Sequence, residues 1–202
     1  MTEKQVQWYP GHMFKSFREI REKLHLMDLV TVLLDARIPV SSMNPEILKT
    51  VRQKPVLLLF NKADLADDKV TEAWIRHYRS LGYETLKIDA VRGTNVQSIM
   101  RATSNLLKEK RDKRAAAGLK PKPVRTMILG IPNVGKSTLI NRLANRASTR
   151  TANTPGVTKA QQWIKVGDTF ELLDTPGVLW PKFDDPEVGL KLAATGAIKD
   201  SI

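Results

Sequence analysis

The sequence contains no cysteine, which excludes a disulfide scaffold and any zinc module that uses cysteine ligands. It also lacks long apolar runs, since stretches such as Val56 to Phe60 have the length of a strand and are too short to cross a bilayer. The N-terminal residues Met1 to Gln5 lack the apolar segment of a signal peptide. We therefore expect a soluble, cytoplasmic protein without a membrane partner.

Acidic residues are absent between Asp112 and Asp168. The whole chain carries 33 Lys and Arg against 21 Asp and Glu, a formal net charge of +12, and the cations of this stretch supply nearly the whole excess. We call these cations the basic tract: Lys113, Arg114, Lys120, Lys122, Arg125, Lys136, Arg142, Arg146, Arg150, Lys159 and Lys165. A field of one sign favours a polyanion, so we expect a nucleic acid partner, RNA or DNA, with a solubility surface as the alternative.

Apolar runs of strand length alternate with segments of helical spacing along the 202 residues. Buried strands are expected over 29–35, 55–60, 83–90, 124–129, 161–166 and 169–173, the last two as a hairpin. Helices are expected over 13–27, 44–51, 71–81, 95–117 and 137–145. In the first helix Phe14 belongs to the apolar side, and Thr71 caps the third helix. This alternation predicts an α/β fold with a doubly wound, mostly parallel sheet.

The segment from Gly130 to Ser137 has the pattern GxxxxGK[ST] of a phosphate-binding loop, and it stands between a predicted strand and a predicted helix. Glycine is needed where the backbone approaches the phosphates closely, and the amides at the start of the helix bind them. Lys136 is expected to neutralise the β- and γ-phosphates, and the Ser137 hydroxyl to bind Mg²⁺. The other residues of this loop expected to contact the nucleotide are Asn133, Val134, Gly135 and Thr138.

Two further segments are expected at the γ-phosphate. The run Asp174-Thr175-Pro176-Gly177 follows an apolar stretch, so Asp174 lies at a strand end, where it could hold Mg²⁺ through water, and the Gly177 amide could contact the γ-phosphate. An isolated Pro-Gly pair could be a mere turn, but its place downstream of a phosphate loop favours the functional interpretation. Residues 153–158 occupy the position of the first switch, with Thr158 as the preferred second protein ligand of Mg²⁺ and Thr154 as the alternative.

The tetrapeptide Asn61-Lys62-Ala63-Asp64 follows a predicted strand and has the pattern of a guanine-reading loop. The Asp64 carboxylate can accept from guanine N1–H and the N2 amino group, whereas adenine offers neither partner, and an unpaired buried acceptor costs about 1–3 kcal/mol per bond. Lys62 is expected over the base plane, and Asn61 to tie the loop to the phosphate side. Ala90 is a weaker candidate, with a backbone amide for the guanine oxygen. Together the motifs predict GTP and GDP as ligands.

The guanine-reading loop precedes the phosphate loop, which reverses the common order of GTP-binding domains. We therefore predict a circularly permuted, Ras-like P-loop GTPase domain. A usual domain would end in the helix that here runs to Gly118 and begin with the strand from Val124. The cationic, proline-containing segment from Leu119 to Pro123 then joins the old end to the old beginning.

Three segments are expected along the chain. Residues 1–28 form an N-terminal loop and amphipathic helix packed on the GTPase domain, and residues 29–185 form the permuted domain itself. Residues 186–202 have helical spacing and stop without a cap, so we interpret them as the start of a C-terminal helical domain that is cut short.

With these motifs in this order, the chain resembles the RbgA (YlqF) family of bacterial ribosome-assembly GTPases. The resemblance also rests on Gln7 to Met13, on Asp35 to Pro39 and on Leu173 to Phe183, and it covers nearly the whole chain. It implies a GTPase that acts on the immature large ribosomal subunit and contacts its ribosomal RNA, and we expect it to be a monomer. It also implies the helical C-terminal domain.

The resemblance suggests two further site residues. Ras-type enzymes place a water-orienting glutamine directly after the Asp-x-x-Gly motif, where this chain has Val178. The family's Pro-Gly-His-Met motif points instead to His12 as the catalytic residue, although His12 could simply cap the first helix. Asn133 matches an asparagine that holds K⁺ in related GTPases, and a loop-stabilising role is the alternative.

The leading hypothesis is therefore an assembly GTPase whose turnover the ribosomal particle stimulates. Two alternatives stay open at this point. One is a GTP-dependent RNA-binding module whose hydrolysis is incidental, and the other is a GTPase of another RNA-related pathway.

Overall fold

The computed structural model describes residues 11–147, 161–180, 183 and 185–198, apart from the side chains of 11–13 and 145–147. Its strands are β1 (Leu29–Asp35), β2 (Val56–Asn61), β3 (Glu84–Lys87), β4 (Val124–Gly130), β5 (Gln162–Val166) and β6 (Phe170–Asp174). Its helices are α1 (Gly11–Leu24), α2 (Pro39–Ser42), α3 (Pro45–Val51), α4 (Asp68–Ser80), α5 (Ser98–Leu106), α6 (Lys108–Ala116), α7 (Lys136–Ala147) and α8 (Pro186–Ala194). No helix within these ranges is long and apolar enough to cross a membrane.

The strands form one sheet in the order β3-β2-β1-β4-β6-β5. β1 pairs in parallel with β2 and β4, β2 pairs with β3, and β4 pairs with β6, whereas β5 runs antiparallel to β6. The chain first adds strands on one side of β1 and then crosses to the other side with β4, which is a doubly wound arrangement. The predicted mostly parallel α/β fold is confirmed, and so is the hairpin, which turns at Gly167 with a φ of +58°.

The sheet is covered on both faces. Val30, Val32 and Leu34 of β1 pack with residues of α1, α3 and α4 on one face. Leu29 and Leu33 pack with residues of α5, α7 and α8 on the other face. Because both faces are buried, the central strands consist of continuous apolar runs, and the polar residues that follow them collect at the ends of the strands.

The single long helix predicted over 95–117 is wrong, because two helices meet at Leu107. Leu107 has a φ of −101° and a ψ of 8°, outside the helical range, and its side chain is buried in the core. The amphipathic helix α5 lies on the sheet, whereas the strongly polar α6 buries none of its side chains. The break lets α6 leave the sheet while Leu107 stays in the core.

Two local expectations are also corrected. The cap of α4 is Asp67, whose Oδ1 accepts a 2.9 Å hydrogen bond from the Val70 N–H, and Thr71 is a buried residue inside the helix. An aspartate at this position satisfies the free N–H groups of the first turn better than the threonine four residues later. Phe14 is 63% exposed, because α1 buries its apolar side only from Phe17 onward.

Candidate nucleotide-binding site

The five parallel strands end at one edge of the sheet, and the predicted motifs meet there. Asp35, the last residue of β1, is the register partner of Asn61, the last residue of β2. Gly130 ends β4 beside Leu33 of β1, and β6 ends at Asp174. The connection changes direction between β1 and β4, and in such folds ligands bind in the crevice outside the carboxyl ends of the strands at this point.

The phosphate loop encloses its lysine. Lys136 is the first residue of α7 and only 7% exposed, and its Nζ donates to the carbonyl oxygens of Gly130 at 3.2 Å and Ile131 at 2.9 Å. Burial lowers the pKa of Lys136 to about 8, and the nearby charge of Asp174 offsets part of this effect. Ser137 and Thr138 follow in the first turn of α7, so all three residues stand where a helix N-terminus binds phosphate.

Asn61 joins the guanine-reading loop to the phosphate loop. Its Nδ2 donates to the Val134 carbonyl at 2.8 Å, and its Oδ1 accepts from the Ala90 N–H at 3.0 Å. Gly135 makes this approach possible, since a Cβ at that position would lie 2.4 Å from Asn61 Nδ2, and its φ is +101°. The tie expected of Asn61 is therefore present. Because the Ala90 amide donates to Asn61, its contact with guanine stays a prediction.

The segment after β6 packs directly on the phosphate loop. A Cβ at Gly177 would lie 2.6 Å from the Cα of Pro132, so only glycine allows the two backbones to come this close. The Val178 N–H donates to the Gly130 carbonyl at 3.1 Å, and the Val178 carbonyl accepts from Asn44 Nδ2 at 3.2 Å. A displacement of Gly177 therefore alters contacts with the phosphate loop and with the cap of α3.

The remaining residues of the guanine-reading loop are placed by contacts from several elements. Lys62 has a φ of +60°, and its Nζ donates to the Asn133 carbonyl at 2.9 Å. Asp64 lies in a 3₁₀ helix over Ala63–Leu65, with an Arg92 nitrogen 3.9 Å from its carboxylate. The Asp64 carboxylate therefore lies within ion-pair distance of Arg92, and its contact with guanine stays a prediction.

Asp35 is a further candidate site residue, for which the sequence predicted no role. Its carboxylate is buried and accepts from Arg37 Nε at 2.9 Å and Nη2 at 2.7 Å, and it lies 3.1 Å from Lys62 Nζ. Burial alone would raise the pKa of Asp35, but the Arg37 bonds and the Lys62 charge outweigh it and leave this pKa below its usual value. Asp35 is therefore charged, and it holds Lys62 beside the phosphate loop. The signal in the sequence is a carboxylate at the end of a buried strand that neighbours the strand leading into the guanine-reading loop.

The candidate metal ligands are only partly described. Ser137 follows Lys136 in α7, and Asp174 is near enough for its charge to act on the Lys136 amine. A hydroxyl and a carboxylate suit Mg²⁺, which takes its remaining ligands from phosphates and water. Thr154 and Thr158 lie outside the described residues, and so does the side chain of His12, which stands in the first turn of α1. Their roles stay predictions.

Asn133 touches the end of the chain's last described helix. It has a φ of +56°, and its Nδ2 donates to the Gly196 carbonyl at 2.7 Å. Gly196 follows α8, so the phosphate loop and the segment after β6 are linked through this amide. The bond fits the loop-stabilising alternative, and K⁺ binding by Asn133 stays a prediction.

Comparison with known proteins agrees with this geometry. A family profile described as 50S ribosome-binding GTPase matches residues 125–201, which include the phosphate loop. Ribosome biogenesis GTPase A of Bacillus licheniformis is 58% identical over 197 residues, which cover 98% of this chain and 70% of that protein.

Solved structures are also similar. The GNP-bound YlqF from T. maritima superimposes with a TM-score of 0.65 at 26% identity, over 91% of this chain and 66% of that one. The GDP-bound form has a TM-score of 0.66 at 25% identity, over 91% of this chain and 70% of that one. This chain therefore spans about two thirds of the length of these similar proteins.

We expect Asp35→Asn to raise the Kd for GDP about tenfold, because Lys62 loses a charged partner and such a bond contributes about 1.5 kcal/mol. The Kd can be measured with a fluorescent GDP analogue. Asp68→Asn, which changes an exposed aspartate of α4 that pairs with Lys87, is the matched control and should leave the Kd unchanged. If Asp35→Asn lowers affinity equally in wild-type and Lys62→Met backgrounds, Asp35 does not act through Lys62.

We also expect GDP binding at pH 8.5 to take up a proton. The pKa of Lys136 is about 8 in the nucleotide-free protein, and bound phosphates raise it because they stabilise the charged amine. Affinity should therefore fall as pH rises above 8. Calorimetry in two buffers of different ionisation enthalpy measures the uptake, with pH 7 as the control, where Lys136 is already protonated. Absence of uptake at pH 8.5 would show that the free lysine is charged.

Proposed function

This chain belongs to the family of ribosome biogenesis GTPase A, and we propose on that premise that it hydrolyses GTP as an assembly factor of the large ribosomal subunit. The family that the sequence resembles is confirmed, and with it the GTPase and its guanine nucleotides. The observation that carries the proposal is the bond between Asn61 and Val134, which brings the guanine-reading and phosphate loops into one site. The large subunit is supported by the description of the matching profile.

We assign the nucleotide contacts from the arrangement at the strand ends. Asp64 would read guanine and Lys62 would cover its plane, while Lys136 would neutralise the β- and γ-phosphates. Ser137 and Asp174 would hold Mg²⁺ together with Thr158 or Thr154, and Asn133 would help to hold K⁺. When bound, Mg²⁺ would neutralise charge that develops on the γ-phosphate and orient its oxygens.

Hydrolysis needs a group that orients the attacking water, and Val178 does not provide one. Its side chain is fully buried, and both its N–H and its carbonyl bind other parts of the protein. We propose His12 for this role, because α1 packs on the same sheet and His12 is the second residue of this helix. Ribosomal RNA would then stimulate turnover by placing the N-terminal segment over the γ-phosphate. Since bacterial ribosomes are assembled in the cytoplasm, we also propose a cytoplasmic location. We further propose that the protein is a monomer.

We expect large ribosomal subunits to stimulate GTP hydrolysis, and to do so more strongly in K⁺ than in Na⁺ if Asn133 holds the ion. Phosphate release with and without subunits measures this effect. Small subunits are the matched control and should stimulate little. Equal stimulation by both subunits would favour another RNA-related pathway, and equal subunit affinity with GTP, GDP and a slowly hydrolysed analogue would favour a binding module.

We expect His12→Ala to remove most of the stimulated turnover while the Kd for GTP stays unchanged, since the imidazole would act on water and not on the nucleotide. His25→Ala is the control. His25 is an exposed histidine just after α1 whose Nδ1 contacts the Glu22 carbonyl at 2.8 Å. Normal stimulation of the His12 variant would exclude the catalytic role.

A further inference from the structure

The cations of the basic tract make different kinds of contact in the structure. Lys136 is enclosed by the phosphate loop, and Arg142 Nε donates to the Ala90 carbonyl at 3.3 Å. Arg125 lies 2.6 Å from a Glu171 oxygen and 5.3 Å from the ring centre of Trp163. These cations support the fold and the nucleotide site, so the tract does not act as one surface.

A different set of cations lines a groove between α6 and the linker that follows it. We call it the splice groove, because this linker joins the permuted halves of the domain. Its volume is about 310 Å³, at the lower end of the range of ligand pockets, about 300–1,000 Å³. Its cations are Lys108, Lys110, Arg111, Arg114, Lys120 and Lys122. Only the last three belong to the basic tract.

The acids in the splice groove do not balance these charges. Asp28 lies at its buried side, where its carboxylate is 2.8 Å from Lys110 and 3.5 Å from Lys122 and accepts from the Arg125 N–H at 3.0 Å. Asp112 is the other acid among the lining residues and pairs with Lys108. Six cations therefore face two carboxylates, and the groove keeps a positive charge.

Lys54 lies near Asp28, and the charged groups of the groove affect its pKa. Its Nζ donates to the Met27 carbonyl at 2.7 Å. Burial lowers the pKa of Lys54, and the charges of Lys110 and Lys122 lower it further, while Asp28 opposes them. The pKa of Lys54 is therefore lowered mainly by burial, and the two groove lysines add to this effect.

The splice groove is held in shape by backbone bonds. The Gly118 N–H donates to the Ala115 carbonyl at 2.9 Å, and the Leu119 N–H donates to the Arg114 carbonyl at 3.1 Å. These are the two bonds of a Schellman motif, which turns the chain back after α6. The linker is therefore fixed against the end of α6, and the lysines on it are presented without a large loss of backbone entropy on binding.

The groove lies at the opposite edge of the sheet from the nucleotide site. Asp28 directly precedes β1, and Val124, which also lines the groove, begins β4. The nucleotide site lies at the carboxyl ends of the same two strands. A polyanion in the groove and a nucleotide in its site can therefore be bound together.

We propose that the splice groove binds the phosphodiester backbone of RNA. The choice of RNA rests on the proposed function, because the ribosomal particle that an assembly factor binds contains RNA, which is a polyanion. The cations supply contacts to phosphate oxygens, which position a strand and carry no sequence information. The exposed Leu119 adds an apolar contact for a sugar or base.

The test is the triple variant Arg111→Gln, Lys120→Gln and Lys122→Gln, which neutralises three exposed cations of the groove. Binding of a short single-stranded RNA is measured by fluorescence anisotropy over a series of salt concentrations, with the protein loaded with GDP. Three lost phosphate contacts should make the slope of log K against log salt less negative by about 2. The matched control is Lys69→Gln, Arg76→Gln and Lys165→Gln, which removes the same charges from exposed positions of α4 and β5.

We expect the control to bind RNA as the wild type does, and both variants to bind GDP normally, since the nucleotide site is at the other edge. Equal losses in groove and control variants would overturn the proposal, because net charge alone would explain them. So would unchanged binding by the groove variant, or displacement of RNA by polyglutamate at equal charge concentration. If the groove binds RNA but large subunits do not stimulate GTP hydrolysis, the proposed function is contradicted and the groove proposal stands.

Discussion

The side chain of Asn61 is the interaction on which the nucleotide site depends. It is 3% exposed, and a buried amide must find partners for its donor and acceptor atoms. It binds the carbonyl of Val134 in the phosphate loop and the N–H of Ala90 in the loop after β3, so one residue sets the distance between three loops. Gly135 leaves the space for this approach, which explains why that position in the loop must be glycine. The guanine-reading loop and the phosphate loop are therefore joined by direct hydrogen bonds.

Two charged side chains, Asp35 and Lys136, are buried around this link, and their charges are compensated to different degrees. Asp35 receives Arg37 and Lys62, and these bonds keep its carboxylate ionised in spite of burial. Lys136 donates to two carbonyl groups, and burial lowers its pKa to about 8 although the charge of Asp174 opposes this. A bound phosphate would supply a negative counter-charge to Lys136, which would favour binding of a nucleotide at this loop.

The circular permutation leaves this site intact, because the sheet brings the loops together whatever their order in the chain. It does change what is connected to the site. Gly177 packs on the phosphate loop, and the chain then continues into α8, whose end accepts a bond from Asn133. The splice between α6 and β4 creates a cationic groove at the other edge of the sheet. The connection from the site to α8 and the groove between α6 and β4 both follow from the positions of the termini and of the linker in the permuted domain.

The sequence alone determined the strands, the hairpin and the motifs, since these depend on local periodicity and on residue types at fixed spacing. It also determined the order of the motifs, and through it the permuted fold. Only the tertiary structure showed that the predicted helix over 95–117 breaks at Leu107 and that Asp35 holds Lys62. It also showed that Lys110 of the groove pairs with Asp28. These contacts join residues far apart in sequence, and they are decided by strand register and helix packing, which local periodicity does not encode.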